Sequence, residues 1–312
     1  MTTGAPRLVS IQILTWNRRT ELARCLDSVL AQTYPRCEIV VVDSASTDDT
    51  ADFVRTQYPQ VKLYRLEANL GCPSGRNLGA TYCTGEYLYF LDDDGWLAPD
   101  AIARAVARAE TDPDIAVVMS RIHEYADGVV VRKRPLGLEQ PVYLVPFSGG
   151  CSLVRRAVLD ATYLYPDDFF RSAEESDLCL RLLGLGSLVF LEPASIMYHA
   201  PSTSGRNNKS AFYLGLRNTN KTGLRLWPFP WVLLRPLVNF GHACLGMLVY
   251  RDVTLPARLV WDWLKDLLAL SGRRTPVSAD AFRLFRALQS HPTSKKPVRP
   301  AHRGCVPQQT KG

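Results

Sequence analysis

A nearly unbroken run of apolar, β-branched residues constrains the fold of this chain more than any other feature. Residues 39–42 are Ile-Val-Val-Val, and a run of this kind is typical of a strand buried on both faces of a parallel sheet. Comparable runs at 9–14, 61–66 and 87–91 alternate with stretches whose apolar residues have helical spacing. This alternation predicts an α/β fold with a doubly wound, mostly parallel sheet flanked by helices.

Polar residues directly follow each of these runs. In a doubly wound sheet, ligands bind beyond the carboxyl ends of the strands, where the strand order reverses. We therefore expect these polar residues to converge on one crevice; the alternative is that polar residues merely terminate the strands. The segments concerned are 15–17, 43–46, 69–77 and 92–94.

Three adjacent carboxylates, Asp92, Asp93 and Asp94, end the fourth apolar run. Neighbouring unit charges repel by roughly 1 kcal/mol per pair even in water, so the cluster favours a cation. Oxygen ligands of this type suit Mg²⁺ or Mn²⁺, whose remaining ligands are water and substrate phosphate. The cluster predicts a divalent metal site and a phosphorylated substrate, with a solvated acidic turn as the alternative.

Composition limits which classes of protein this chain can belong to. The chain has 312 residues, of which 46% are hydrophobic, so it can bury a full core. Its eight cysteines include no C-x-x-C pair, which favours reduced, packed thiols. No hydrophobic run precedes the first predicted strand, so no secretory signal is indicated. These features predict a cytoplasmic location.

Charge is divided unevenly along the chain. Residues 200–312 carry 18 Lys and Arg against 4 Asp, whereas residues 1–199 carry 19 Lys and Arg against 26 Asp and Glu. A basic region suits nucleic acid, an anionic membrane or an acidic substrate. Nucleic acid is not expected, because the basic residues are interleaved with large apolar ones and no nucleic-acid-binding motif is present.

The basic region also contains apolar segments. Residues 226–250 are apolar but are interrupted by four residues, so we do not expect a membrane-spanning helix there. These four residues are Arg235, Pro236, Asn239 and His242. Farther on, a stripe of apolar residues at helical spacing lies beside basic ones. Its members are Leu255, Leu259, Trp263, Leu267 and Leu270.

Two interpretations of this stripe remain open. The first is a helix lying in the interface of an anionic membrane on the inner, cytoplasmic face. The second is a helical lid packed on the rest of the protein or at a dimer contact. Residues 290–312, rich in Pro, Lys, Arg, Gln and Thr, are predicted to be disordered.

Taken in order, the motifs resemble glycosyltransferase family 2. They are Thr15-Trp16-Asn17-Arg18, Val41-Val42-Asp43-Ser44, Asn69-Leu70-Gly71 with Arg76-Asn77, Phe90-Leu91-Asp92-Asp93-Asp94, Glu174-Glu175-Ser176-Asp177 and His199. The resemblance covers about residues 8–200 and implies the GT-A fold, a Rossmann-like sheet, and inverting transfer of a hexosyl or deoxyhexosyl group.

The resemblance also implies how the chain is divided. Residues 1–205 would form the catalytic domain, with a nucleotide-sugar half at 8–100 and an acceptor half at 101–205. Residues 206–289 would form a basic, apolar, helical extension, followed by the tail from 290 onwards.

The resemblance assigns donor and metal roles. The donor, a UDP- or dTDP-sugar, would be bound by Thr15, Trp16, Asn17, Asp43, Asn69, Arg76, Asp92 and Asp93. Asp43 matches the residue that hydrogen-bonds the pyrimidine base, and Trp16 stands where the family more often has tyrosine. The metal, Mg²⁺ or Mn²⁺, would be held by Asp92, Asp94 and His199; for His199 a structural role is the alternative.

The catalytic base is assigned to a pair of glutamates. Inverting transfer needs a carboxylate to take the proton of the acceptor hydroxyl, and Glu175 matches that position. Because the family usually has Glu-Asp where this chain has Glu174-Glu175, either glutamate is a candidate. Ser148, Gly149 and Gly150 match a segment on the acceptor side whose small residues leave room for a sugar; the alternative is that the two glycines only mark a turn.

The implied acceptor is a cell-surface glycan or a lipid-linked saccharide. Two other functions stay open: a non-catalytic nucleotide-sugar-binding protein, and a tailoring glycosyltransferase with a soluble small-molecule acceptor. The presence of all three of Asp92, Asp94 and Glu175 favours an enzyme, because a binding protein would not need the base. A nicotinamide-dependent oxidoreductase is disfavoured, since no G-x-G-x-x-G follows Leu14.

Overall fold

The computed structural model describes residues 5–200, 208–270 and 274–300. The strands are β1 (Val9–Thr15), β2 (Cys37–Asp43), β3 (Lys62–Arg65), β4 (Tyr87–Asp92), β5 (Gly95–Leu97), β6 (Ile115–Ala126), β7 (Val129–Arg134), β8 (Val142–Tyr143), β9 (Cys151–Arg155) and β10 (Leu188–His199). The helices are α1 (Arg19–Leu30), α2 (Thr50–Gln57), α3 (Gly71–Tyr82), α4 (Ala101–Glu110), α5 (Arg156–Asp160), α6 (Glu174–Gly184), α7 (Asn208–Leu226), α8 (Trp231–Tyr250), α9 (Leu255–Leu270) and α10 (Ala279–Ser290).

One sheet contains strands from residues 9–199, and its order is β3-β2-β1-β4-β9-β6-β10-β5. Strands β3, β2, β1 and β4 pair in parallel, as do β6 and β10, whereas β9 lies antiparallel to both β4 and β6. The order runs from β1 outward in both directions, so the predicted doubly wound α/β sheet is confirmed. Strand β9 separates the parallel N-terminal half from the β6–β10 pair.

The buried residues follow the sequence patterns. Val40, Val41 and Val42 on β2 are inaccessible to solvent, because neighbouring strands flank them and helices cover the sheet. Helix α1 buries Leu22, Cys25, Leu26 and Val29, which share one face of a helix at this spacing. This packing holds the carboxyl ends of β1, β2 and β4 together at one edge of the sheet.

Helix α3 and strand β10 each have an irregular backbone feature. Helix α3 begins at Gly71, whose φ of +81° is a backbone conformation that glycine adopts readily. Strand β10 continues to His199 through an irregularity between Glu192 and Ile196. His199 is therefore the last residue of a strand and not part of a following loop.

Helix α8 differs from the expectation of an interrupted segment. It runs continuously from Trp231 to Tyr250 with Pro236 inside it, since a proline in the second turn removes only one backbone donor. Among the described residues, this helix is long and apolar enough to cross a membrane, judged by length and composition alone.

The prediction that the tail is disordered from residue 290 onwards is wrong for its first residues. Thr293 exchanges backbone hydrogen bonds with Tyr143 at 2.8 and 3.1 Å, and Lys296 forms ion pairs of 2.7 and 2.8 Å with Asp112 and Asp114. Lys296, one of the residues that suggested a solvated tail, instead contacts the acidic loop between α4 and β6. Residues 301–312, the rest of that predicted tail, lie outside the described residues.

Candidate active site

A cavity of about 670 Å³ opens at the carboxyl ends of the strands, within the size range of ligand sites. Most of the residues predicted for the site line it, which confirms that the strand-end segments converge. They are Thr15, Trp16, Asn69, Arg76, Asp92, Asp93, Asp94, Glu174, Glu175 and His199.

Asn17 and Asp43 do not line this cavity. Asp43 is fully buried; its Oδ1 accepts a 3.0 Å hydrogen bond from Ser46 N, and its Oδ2 lies 3.4 Å from Arg65 Nε. Asn17 has a φ of +53°, donates its backbone N–H to Ser46 Oγ at 2.9 Å and accepts from Thr47 N at 2.7 Å. Both residues therefore fix the loops beside the half-exposed Trp16 instead of facing the cavity.

Asp93 is held by its neighbours from two sides. Thr15 Oγ1 donates to it at 2.9 Å and Arg18 Nη1 at 2.8 Å. Burial raises the pKa of Asp93 to about 6, an effect that Arg18 opposes and Asp94 reinforces. The central carboxylate of the cluster is thus tied to β1.

Asp94 and His199 form a close pair. His199 Nε2 lies 3.1 Å from Asp94 Oδ1, and both side chains are nearly inaccessible to solvent. Within the described residues, no group of three or more His, Cys, Asp or Glu side chains is arranged to hold a metal ion. A carboxylate beside an imidazole nevertheless fits an ion such as Mn²⁺ that takes further ligands from substrate phosphate and water.

Arg76 lies between the acidic cluster at Asp92–Asp94 and the two glutamates. Its Nη2 donates to Asp92 Oδ1 at 2.6 Å, and the side chain is buried. A Cβ on Gly149 would lie 2.8 Å from Arg76 Nη1 and 2.7 Å from Glu175 Oε1, and a Cβ on Gly150 would overlap the Asp92 carboxylate. The room that these glycines leave is therefore filled by the protein's own charged side chains, whereas we expected it to admit a sugar.

Glu174 and Glu175 begin α6 with different surroundings. Glu175 Oε1 accepts a hydrogen bond from Gly149 N at 3.2 Å; burial raises its pKa, while Arg76 and backbone N–H groups oppose the rise. Burial and the charge of Glu175 raise the pKa of Glu174 to about 8, and its Oε2 has no hydrogen-bond partner. Because the Arg76 charge and backbone N–H groups lower the pKa of Glu175 against the effect of burial, Glu175 is the better candidate for the base.

The backbone ahead of these glutamates is unusual. Ser172 and Ala173 both have left-handed conformations, with φ of +73° and +68°, which non-glycine residues adopt at a cost in free energy. Asn218 on α7 holds this turn by donating to the carbonyls of Arg171 and Ser172 at 2.9 Å each. Helix α7 thus fixes where α6 starts and where its glutamates point.

Several cavity residues were not among those predicted. Arg18 pairs with Asp93, and its signal was its place directly after Thr15-Trp16-Asn17. Arg134, at the end of β7, lies with Nη2 3.5 Å from His199 Nδ1 and forms a 2.8 Å ion pair with Glu124. Phe170 also lines the cavity. Neither Arg134 nor Phe170 has a local sequence signal, because a hairpin and a loop from distant parts of the chain place them at the cavity.

Solved structures define the class of fold. GalNAc-T7, crystallised with UDP, GalNAc and Mn²⁺, matches 72% of this chain and 49% of its own with a TM-score of 0.59 and 21% identity. The mannosyltransferase PcManGT from Pyrobaculum calidifontis, in complex with GDP-Man and Mn²⁺, matches 91% of this chain and 80% of its own with a TM-score of 0.55 and 22% identity. At these identities the likeness concerns the fold, which is the GT-A glycosyltransferase fold.

Sequence comparisons define the family. Residues 10–162 match the family model described as Glycosyl transferase family 2. Glycosyltransferase GlyA from Streptococcus pneumoniae serotype 4 is 32% identical over 35% of this chain and 16% of its own length. Chondroitin synthase from Escherichia coli is 34% identical over 36% of this chain and also 16% of its own. Through residues 10–162 the chain belongs to glycosyltransferase family 2, and it spans only 16% of the length of each of these two relatives.

Proposed function

We propose that the protein is a metal-dependent, inverting glycosyltransferase that moves a hexosyl or deoxyhexosyl group from a UDP- or dTDP-sugar to an acceptor hydroxyl. The observation that carries the proposal is that Glu175 and the Asp94–His199 pair line the same cavity. One wall can hold a nucleoside diphosphate while the other offers a base. The exposed indole of Trp16 lies in that lining, where a nucleobase can stack on it.

The base acts on the acceptor. As the acceptor oxygen attacks the anomeric carbon, the bond from that carbon to the diphosphate oxygen breaks and the acceptor proton passes to a Glu175 carboxylate oxygen. Attack from the side opposite the leaving group inverts the configuration. The hydrogen bond from Gly149 N to Glu175 Oε1 orients the carboxylate and leaves its other oxygen for the proton.

Two arginine side chains in the cavity wall can contact the diphosphate of the donor. Arg18 lies in the cavity wall beside Asp93 and Asp94, and Arg134 lies in the wall beside His199. Asp94 and His199 are the residues that would hold the divalent ion, which when bound offsets the charge developing on the diphosphate.

We further propose a lipid-linked saccharide or a cell-surface glycan as acceptor, and a cytoplasmic location on the inner face of the membrane. The basic balance of residues 200–312 supports this choice. A tailoring enzyme with a soluble acceptor would have the same cavity. Incubation with lipid-linked and soluble acceptors, each with the matching donor, separates the two.

The decisive experiment is a donor panel. Purified protein is incubated with UDP-, dTDP- and GDP-sugars and Mn²⁺, donor binding is followed by thermal shift, and slow hydrolysis or transfer by mass spectrometry. We expect stabilisation and turnover with one pyrimidine-nucleotide sugar. Binding of a donor without turnover under any condition would support the non-catalytic binding protein and overturn the enzyme.

The base assignment has its own test. Glu175→Gln keeps the side-chain volume but removes the proton acceptor, so we expect donor binding close to wild type and no measurable transfer. Turnover within about tenfold of wild type would overturn the assignment, since a general base contributes more than that. Glu86→Gln, which changes an exposed carboxylate paired with Arg7, is the matched control and should leave turnover unchanged.

A further inference from the structure

Helix α8 has its polar and apolar faces exchanged relative to a helix of a water-soluble protein. Its buried positions are Val232, Asn239, Ala243 and Gly246, whose spacings of seven, four and three residues place them on one inward stripe. The outward face carries Leu233, Leu237, Leu245, Leu248 and Val249, with Leu237 69% and Leu248 71% exposed. The side that faces water is therefore the more apolar one.

Helix α9 repeats this arrangement. Asp262 and Asp266 point inward, whereas Val260, Trp261 and Leu264 are exposed, Trp261 at 64%. The stripe that we expected to lie in a membrane includes Leu255 and Leu259, and these pack against the protein with 1% and 2% exposure. The inward face of α9 therefore packs on the rest of the protein, as the second interpretation expects. The opposite face is apolar, and no element among the described residues covers it.

The inward side chains meet a polar helix. Lys221 on α7 lies 3.5 Å from Asp266, and Arg217 lies 3.4 Å from Asp262. Asn239 donates to Asn220 Oδ1 at 2.7 Å. Helices α8 and α9 thus wrap polar groups inside and present apolar side chains outside, which is the arrangement favoured when the outer medium is hydrocarbon.

The exposed charges around this surface have one sign. Over residues 231–270, all of which the structure describes, the exposed charged residues are Arg251, Arg258 and Lys265. The acidic residues of the same stretch are partly covered and paired: Asp252 lies 2.8 Å from Lys209, and Asp262 lies 2.7 Å from the exposed Lys265. A surface with apolar side chains and basic residues at its edge complements an anionic lipid headgroup layer.

We propose that the outer face of α8 and α9 is a lipid-binding surface that lies in the interface of an anionic bilayer. The apolar side chains of both helices enter the headgroup and acyl boundary, and the basic residues contact lipid phosphates. The helices lie along the membrane and do not cross it, because the inward stripe of α8 is occupied by α7 and α9.

This surface is connected to the active site through α7. Lys221 and Arg225 each form a 2.7 Å ion pair with Asp168, and Asn218 holds the turn at Arg171 and Ser172 before the two glutamates. The first residue of α7, Asn208, lines the cavity. The surface therefore brings the cavity to the bilayer, which favours a lipid-linked acceptor; this last step rests on the proposed function, whereas the surface itself does not.

The test is sedimentation with vesicles. Full-length protein is mixed with vesicles of equimolar phosphatidylglycerol and phosphatidylcholine or of phosphatidylcholine alone, with increasing sodium chloride. We expect binding to the anionic vesicles that weakens with salt. Leu237→Glu combined with Leu248→Glu should reduce partitioning roughly hundredfold, because two apolar side chains no longer enter lipid.

The matched control introduces two glutamates at exposed apolar positions outside α8 and α9. Val129→Glu combined with Val131→Glu alters two exposed valines on β7 (59% and 60% exposed) and should bind vesicles like wild type. Thermal melting of both double variants close to wild type confirms that they fold, since all four side chains face solvent.

Several outcomes would overturn the proposal. They are wild-type protein that stays in solution, equal binding to neutral vesicles, and a Leu237→Glu, Leu248→Glu variant that binds like wild type. A dimer that this variant converts to monomers in sedimentation velocity would instead assign the face to a second copy of the chain. Donor hydrolysis is measured in the same samples; its absence with vesicle binding retained overturns the proposed function but leaves the surface standing.

Discussion

Arg76 Nη2 lies 2.6 Å from Asp92 Oδ1, and Arg76 Nη1 and Glu175 Oε1 approach the same face of Gly149. One buried guanidinium thus stands between the first carboxylate of the acidic cluster and the proposed base. Because Arg76 lowers the pKa of Glu175 against the effect of burial, the donor side of the cavity helps to set the protonation state of the acceptor side.

Replacing Arg76 should therefore shift a pH profile. In Arg76→Gln the pKa of Glu175 rises further, so the rising limb of kcat against pH moves to higher pH. Loss of the charge of the buried Arg76, whose partner Asp92 is partly exposed, should also lower the free energy of unfolding, which urea unfolding measures. Arg76→Gln combined with Asp92→Asn should recover part of that stability, since neither charge is then left alone. An unchanged acid limb in a folded variant would show that Arg76 does not act on Glu175.

Gly150→Ala tests the crowding around Asp92. The added methyl group would overlap the Asp92 carboxylate, so either the ion pair with Arg76 or the loop must move, and we expect a large loss of transfer activity. Gly241→Ala is the control, because nothing lies within 4 Å of its added Cβ. Equal activity of both variants would mean that the Asp92 position is not needed for turnover.

The order of strands and helices was predictable because the signals are local. Runs such as residues 39–42 and the spacing of Leu22, Cys25, Leu26 and Val29 identify each element without knowledge of its neighbours. The direction in which α9 faces was not predictable from the same kind of pattern. Both sides of α9 are apolar, and only the charged groups of α7 decide that Asp262 and Asp266 turn inward.

The candidate site was predictable where its residues end strands in the sheet. Thr15, Asp93 and Asp94 meet for that reason. Arg134 and Phe170 were missed because their positions depend on a hairpin and a loop that fold back from elsewhere in the chain. The role of Gly149 was misjudged, since a glycine pattern shows that space is needed but not which side chain fills it.

Glu174 makes stability depend on pH in a known direction. Its pKa is about 8 in the folded protein against an ordinary value of 4.5, so between these values the folded state holds a proton that the unfolded state has released. The stabilising contribution is complete below pH 4.5 and is lost as pH rises through about 8.

Glu174→Gln removes this titration and keeps a neutral side chain of the same shape. The melting temperature of wild type minus that of the variant should therefore fall steadily from pH 4.5 to about 8, because the titrations of groups other than the neighbouring Glu175 are common to both proteins. A difference that stays constant over this window would show that Glu174 is ionised throughout. Transfer activity near neutral pH should persist in the variant, in contrast to Glu175→Gln.

Asp94→Asn separates donor binding from proton transfer. The amide keeps the size of the side chain next to His199 but has one neutral oxygen in place of a carboxylate, so it is a much poorer ligand for a hard cation. In titration calorimetry with the donor identified by the panel, Mn²⁺ should strengthen binding to wild type by at least about tenfold and have little effect on the variant. Asp100→Asn, an exposed carboxylate paired with Arg104, is the control and should respond to Mn²⁺ like wild type. If Mn²⁺ strengthens binding equally in wild type and Asp94→Asn, the ion is held by other groups, and the pair formed by Asp94 and His199 has a structural role.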